Sequence, residues 1–114
     1  MDTSFIGRLC EDRAASFYTR HGYKILRRNY RTSEGEIDII LKKDDTIVFA
    51  EVKSVPPYWS SDDFSRKISQ AKVFRIKKTA SVYLASDNND VYHFVRFDAV
   101  FVGKDRLTCI CGAF

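Results

Sequence analysis

Apolar positions along the chain follow two periods. In the first twenty residues Ile6, Cys10, Ala14 and Phe17 recur at steps of three and four, which predicts a helix from about Phe5 to His21 with that stripe on the core. Asp2, Thr3 and Ser4 are N-cap candidates, and Gly22 fits the C-terminal end. The pattern then changes. Tyr23–Arg31 reads as a strand, and Ile37–Leu41 and Ile47–Val52 are runs rich in β-branched residues separated by the polar Lys42-Lys43-Asp44-Asp45-Thr46. A second helical stripe, Ile68, Lys72, Ile76, Ala80 and Leu84, predicts a helix from Ser61 to about Ala85, opened by Asp62 and Asp63. Ser86–Asp90 is a polar turn. Val91–Val102 and Leu107–Cys111 read as strands on either side of Gly103-Lys104-Asp105.

This order of elements predicts one α/β domain over residues 1–114, with a mixed central sheet of about five strands flanked by two main helices. Strands one to three should form an antiparallel meander, and the second helix should cross over to a later strand. Nothing repeats internally, and no low-complexity linker divides the chain.

Three charges interrupt the central hairpin: Asp38, Glu51 and Lys53. Charge inside an apolar strand is costly unless it is paired or holds a metal. A loop of two or four residues centred on Asp44-Asp45 pairs residues whose numbers sum to 89. That register sets Asp38 across from Glu51 on one face, with Cβ atoms roughly 4.5–5.5 Å apart. A three-residue loop would separate them. Asp-Asp lacks the glycine of a tight primed turn, so a four-residue loop, Lys43–Thr46, is expected. Two opposed carboxylates point to a divalent cation, Mg²⁺ or Mn²⁺, held by Asp38 and Glu51. Lys53, two residues further along the same face, is placed to orient a water or steady a phosphate. Glu36 shares the face but sits at the strand start, and is assigned to the periphery.

Other residues admit two readings. Arg27, Arg28 and Arg31 form either a phosphate-gripping rim or the charged defence of an edge strand. Lys72 interrupts an apolar stripe, either snorkelling to water or facing the site as a second cation. Gln70 is a weaker neighbour. Lys67, Arg75, Lys77 and Lys78 are expected to form a solvated basic face able to touch a nucleic-acid backbone. Tyr58 and Trp59, beside Pro56-Pro57, either stack on bases or cover the apolar edge. Asp98 is read as structural, either pairing with Arg96 or capping a neighbouring segment.

Composition narrows the classes. Nineteen basic against fifteen acidic residues give a formal charge of +4, which favours a polyanionic partner. No apolar run approaches a membrane span, and no signal peptide is visible, so a cytoplasmic protein is expected. Three cysteines are an odd number, expected to be reduced, with Cys109-Ile110-Cys111 and Cys10 as small core residues rather than a zinc site.

A family resemblance joins these pieces. Asp38 with Glu51-Val52-Lys53 is the D…ExK pattern of restriction-endonuclease-like nucleases. The wider set is Gly7, Glu11 and Ala14; Gly22-Tyr23, Ile25-Leu26 and Asn29; Gly35-Glu36-Ile37-Asp38; Lys72; Arg96-Phe97-Asp98; and Ala113-Phe114. Together these resemble the YraN-like family, small bacterial proteins predicted to be endonucleases and related to archaeal Holliday-junction resolvases. The resemblance implies a restriction-endonuclease-like fold. It implies a catalytic set of Glu11, Asp38, Glu51 and Lys53, with Lys72 near the substrate phosphate. Without it, Glu11 reads first as an exposed helical residue paired with Arg8 or Arg13. One departure is Val55, where family members often carry arginine.

The expected function is a Mg²⁺-dependent (or Mn²⁺-dependent) endonuclease acting on DNA, structured or branched, with a homodimer plausible for two cuts on a symmetric junction. The competing readings are a nucleic-acid-binding module without turnover, and a structural domain in which Lys53 neutralises Glu51.

Overall fold

The β-branched hairpin forms as its sequence demands. In the computed structural model, which describes residues 3–60, 63, 68–86 and 90–114, β2 (Gly35–Lys43) and β3 (Thr46–Ser54) pair antiparallel. Lys43 faces Thr46, and the register runs through Leu41–Val48 to Ile39–Ala50, the pairing whose numbers sum to 89. The connection is Asp44-Asp45 alone, not the expected four residues. Asp44 adopts a left-handed φ of 53°, which aspartate tolerates better than most residues, so the tight turn closes without glycine.

On one side of this hairpin β1 (Lys24–Thr32) adds antiparallel. On the other, β4 (Phe94–Val102) adds parallel to β3, and β5 (Leu107–Ile110) closes the edge antiparallel to β4. The sheet order is β1-β2-β3-β4-β5. The meander, the crossover and the mixed five-stranded sheet are therefore as expected from the pattern.

Helix α1 (Thr3–Arg20) covers one face and α2 (Gln70–Ala85) the other. Strand alternation divides the core accordingly. Ile39, Leu41, Val48 and Ala50 pack with Cys10, Ala14, Ala15 and Tyr18 of α1. Ile40, Ile47 and Phe49 pack with Ile76, Ala80 and Tyr83 of α2. The α1 stripe is broader than the predicted one, because Tyr18 is fully buried. Gly22, at φ 87°, ends the helix as expected: its N–H donates to Thr19 O, and Tyr23 N–H to Tyr18 O.

The second helix is shorter than its pattern suggested. Ser69 is extended and caps α2 by accepting from Lys72 N–H at 3.2 Å, so Ile68 lies before the helix. Ser61 and Asp62 fall outside the described residues, as do residues 64–67 and 87–89. β4 begins at Phe94, not Val91, and Val91 is solvent-exposed. Trp59 packs against the cluster of Val55, Ala99 and Phe101, while Tyr58 is exposed. No helix among the described residues is long and apolar enough to cross a membrane.

Candidate active site

Beyond the Ile39–Ala50 pair, the β2–β3 ladder stops. In place of the next cross-strand pair, Asp38 Oδ2 accepts the Val52 N–H at 2.7 Å. The carboxylate thus fills the fork where the two strands part, and Glu51, the next residue of β3 after Ala50, points to the α2 face. Two cavities meet there. One, of about 140 Å³, is lined by Gly35, Glu36, Asp38, Glu51, Lys72, Arg75 and Ile76. The other, of about 580 Å³, is lined by Gly7, Arg8, Glu11, Asn29, Arg31, Glu36 and Asp38. Glu36 and Asp38 belong to both. The fork is an acidic centre, with Lys72 and Arg75 on the α2 side and Arg8 and Arg31 on the α1 side.

Its electrostatics are those of crowded, desolvated carboxylates. Burial and then the charge of Glu51 push the Asp38 carboxyl up to about 7; the Val52 N–H opposes this, and Glu11 and Glu36 add to it. Glu11 is also raised, by burial first, against the lowering effects of Arg28 and of a hydrogen bond from Asn29. Glu11 Oε1 is buried with no hydrogen-bond partner among the described residues; the nearest cation, Arg28 Nη2, is 3.9 Å away. An orphaned carboxylate oxygen beside a second desolvated carboxylate suits a cation. Yet no three of the fork's carboxylates bring oxygens within 4.8 Å of one another; the one such group among the described residues is Asp98, Cys109 and Cys111, on the opposite face. Glu51 is already engaged: its Oε1 lies 2.5 Å from Lys72 Nζ.

Of the residues singled out from sequence, Glu11, Asp38, Glu51, Lys72 and Arg31 meet at the fork. Arg31 pairs with Glu36 at 3.3 Å. Arg28 borders it, bound to Asp12 at 2.7 Å. Arg27 does not reach it: it stacks over Tyr30 at 5.1 Å and lines a separate cavity with Lys24, Tyr83 and Asp90. Lys53 is half-buried, on the Glu51 side of β3 by alternation, and forms no ion pair with a described residue. Lys72 lies on Glu51 itself. Glu36, assigned to the periphery, lines both cavities.

Three neighbours were named from the sequence, but none was assigned to the site. Arg75 follows Lys72 by three residues, one turn along the same helix face, and that spacing was the available signal. Arg8 stands one residue from Gly7, on the other wall. Asn29 holds a left-handed φ of 52° inside a strand, a conformation no pattern announces. Gly35, at φ 155°, lets β2 lie against α2, for a Cβ there would meet Thr79 Oγ1 at 3.1 Å and Arg75 Cβ at 3.4 Å. Val55, which replaces the arginine frequent in the resembled family, is buried against Ala99 and Phe101.

Residues 10–102 match the model of the uncharacterised protein family UPF0102. The chain belongs to this family. It is the YraN-like family that the motif pattern resembled. Similar UPF0102 proteins include one from Caldicellulosiruptor bescii, 40% identical over 96% of this chain and 94% of its own. Another, from Sulfurihydrogenibium, is 35% identical over 100% of this chain and 97% of its own. A third, from Syntrophus aciditrophicus, is 42% identical over 90% and 80% respectively. In this UPF0102 protein the matched span takes in Glu11, the fork, α2 and all of β4.

Proposed function

We propose that this UPF0102 protein is a divalent-cation-dependent endonuclease that hydrolyses phosphodiester bonds in DNA, branched or otherwise structured. The observation that carries the reading is the fork itself: Asp38 driven up to about 7 by burial and by Glu51, between two walls of basic residues. A negative centre with positive flanks suits a cation and a polyanion together.

The chain's own groups divide the work. Asp38 is fixed by the Val52 N–H on Oδ2, which leaves Oδ1 as its free donor. Asp38 and Glu51 would hold Mg²⁺ or Mn²⁺, and the unpartnered Oε1 of Glu11 supports the shell. Two carboxylates with the remaining positions open is the arrangement Mg²⁺ prefers. When bound, the ion supplies Lewis-acid polarisation of the phosphate and acidifies an attacking water. Lys72 must leave Glu51 when a cation takes that oxygen, and the phosphate is then the anion within its reach. Lys53, two residues past Glu51, orients the water and offsets charge developing on the phosphate. Arg31 and Arg75, one on each wall, hold the backbone of the nucleic acid.

The test is a cleavage screen of nicked, flapped and four-way DNA with Mg²⁺ and Mn²⁺, using Lys53→Ala and Asp38→Asn as controls. Metal-stimulated cleavage by the wild type, lost in both variants, is expected. Cleavage unchanged in Asp38→Asn would sink the assignment. A second reading, binding without turnover, draws support from Lys72 already neutralising Glu51 and from the apolar role of Val55. Salt-sensitive DNA binding with no cleavage under either metal would favour it. On a symmetric junction two copies would each supply one fork; sedimentation of the complex reads that stoichiometry.

A further inference from the structure

A second cluster of reactive side chains lies on the α1 face of the sheet, away from Glu51. Asp98 of β4 is fully buried there, and Cys109 and Cys111 stand at and just past the end of β5. The two sulfurs are 3.9 Å apart, and Cys109 Sγ is 3.4 Å from Tyr18 Oη. Ligand atoms of Asp98, Cys109 and Cys111 all fall within 4.8 Å of one another, which on distance alone would admit a metal.

The hydrogen bonds argue against one. Asp98 Oδ1 accepts from Arg96 Nε at 2.8 Å and from Gly112 N–H at 3.0 Å. Its Oδ2 accepts from Tyr18 Oη–H at 2.8 Å and from Arg96 Nη2 at 2.9 Å. Both oxygens are saturated and the charge is neutralised, so Asp98 has no lone pair for a metal. Two thiols remain, fewer than a closed zinc site needs. Their chemistry as a pair is oxidation.

We propose that Cys109 and Cys111 are a redox-active dithiol that closes reversibly to an intramolecular disulfide by exchange with a small-molecule disulfide of the glutathione class. Cys111 is exposed, lies beyond the strand, and precedes Gly112 at φ 66°, so its backbone is the part free to adjust. The sulfurs must close from 3.9 Å to about 2.05 Å. Cys111 thiolate attacks one sulfur of glutathione disulfide and expels a glutathione thiolate, leaving a mixed disulfide on Cys111. Cys109 then attacks Cys111 Sγ, forms the protein disulfide and expels the second glutathione. Two electrons pass from the protein thiols to glutathione disulfide, and the two thiol protons end on the two glutathiones released.

The environment sets the order and the poise. Burial pushes the Cys109 thiol up to about 12, so it attacks second and only once a mixed disulfide stands beside it. A bond across a single intervening residue is strained, and strained exposed disulfides are the readily reduced ones. The pair therefore suits a reversible modification and not a permanent staple. Cys10, buried on the inner face of α1, takes no part.

The test uses the full folded chain, without denaturant, equilibrated in buffers of graded oxidised-to-reduced glutathione, quenched in acid and read by intact mass and maleimide labelling. The expected product has lost two hydrogens and two of its three labelled thiols, reverts in excess reduced glutathione, and maps to the peptide carrying residues 107–114. Cys109→Ser should stop at a mixed disulfide on Cys111, and Cys111→Ser should stay reduced. A wild type that also stops at the mixed disulfide, stays fully reduced in the most oxidising buffer, or pairs either cysteine with Cys10 overturns the proposal.

Discussion

Lys72 Nζ lies 2.5 Å from Glu51 Oε1, so the carboxylate proposed as a metal ligand is already paired with an ammonium group. Glu51 is nearly buried, with 7% of its side chain exposed, whereas Lys72 keeps 39%. The pair is therefore a swing contact: the carboxylate cannot leave, but the ammonium can. On the proposed reading the two cations compete. Lys72→Ala should cost the cation-free protein about 1–3 kcal/mol, less than a fully buried pair because water screens the lysine. The same change should tighten Mn²⁺ binding, with tenfold corresponding to about 1.4 kcal/mol. Thermal denaturation in chelator reads the first effect and calorimetric titration the second. Unchanged or weaker Mn²⁺ affinity would show that Lys72 is not the ion's competitor.

Asp38 makes stability depend on pH with a definite sign. Its folded pKa is raised to about 7, while the unfolded carboxyl titrates near the ordinary aspartate value of 3.8. Between those values the folded state holds more proton than the unfolded one, so stability falls as pH rises from about 4 to about 7 and is level above. Asp38→Asn removes that dependence and keeps an oxygen to accept the Val52 N–H. In chelator, the variant should melt higher than wild type at pH 8 and close to it at pH 4, with each kcal/mol shifting the midpoint roughly 4–8 °C. A constant difference across that range would place the titration elsewhere.

The opposite face carries a network whose loss should unfold the protein. Asp98 is fully buried and joins α1 through Tyr18, β4 through Arg96 and the C-terminal turn through Gly112 N–H. Arg96 continues to Tyr23 Oη at 2.9 Å. Asp98→Ala would strand the Arg96 charge and orphan two donors, a loss of about 3–5 kcal/mol in urea unfolding. Tyr18→Phe deletes one neutral donor to a charged acceptor and should cost about 1.5–3 kcal/mol. If the two variants lose equally little, Asp98 is not the point that ties these elements together.

How much of this could be read from the chain depends on how local the signal is. The register of β2 on β3 follows from strand alternation and a loop of even length, and it placed Asp38 and Glu51 at one end of one hairpin. The loop length itself was misjudged, because Asp44 adopts the conformation usually given to glycine. The start of α2 was misjudged because Ser61-Asp62-Asp63 offers as good an N-terminal signal as Ser69, and only packing against β2 chooses between them. The pairing of Asp98 with Arg96 is two residues long and legible. Its bond to Tyr18, eighty residues away, is not. Arg75 was assigned to a solvated face for the same reason: nothing local says that the β1–β2 turn, through Gly35, would bring it to the fork.

Asn29 separates stability from function most cleanly. It holds φ 52° in the middle of β1, where its neighbours Arg28 and Tyr30 pair with Ile39 and Ile37, so Asn29 stands opposite Asp38. Its side-chain amide is close enough to Glu11 to lower that carboxyl against the effect of burial. A strained residue that touches a candidate ligand is the usual mark of a site that sacrifices stability for geometry. Glycine relieves the backbone but cannot hold Glu11; alanine does neither. Asn29→Gly should therefore melt within about 0.5 kcal/mol of wild type or above it, while Asn29→Ala loses about 1–2 kcal/mol. Both variants should bind Mn²⁺ more weakly, because Glu11 is left without its donor. If Asn29→Gly keeps full Mn²⁺ affinity, the left-handed residue serves only the course of the strand, and Glu11 needs no help to face Asp38.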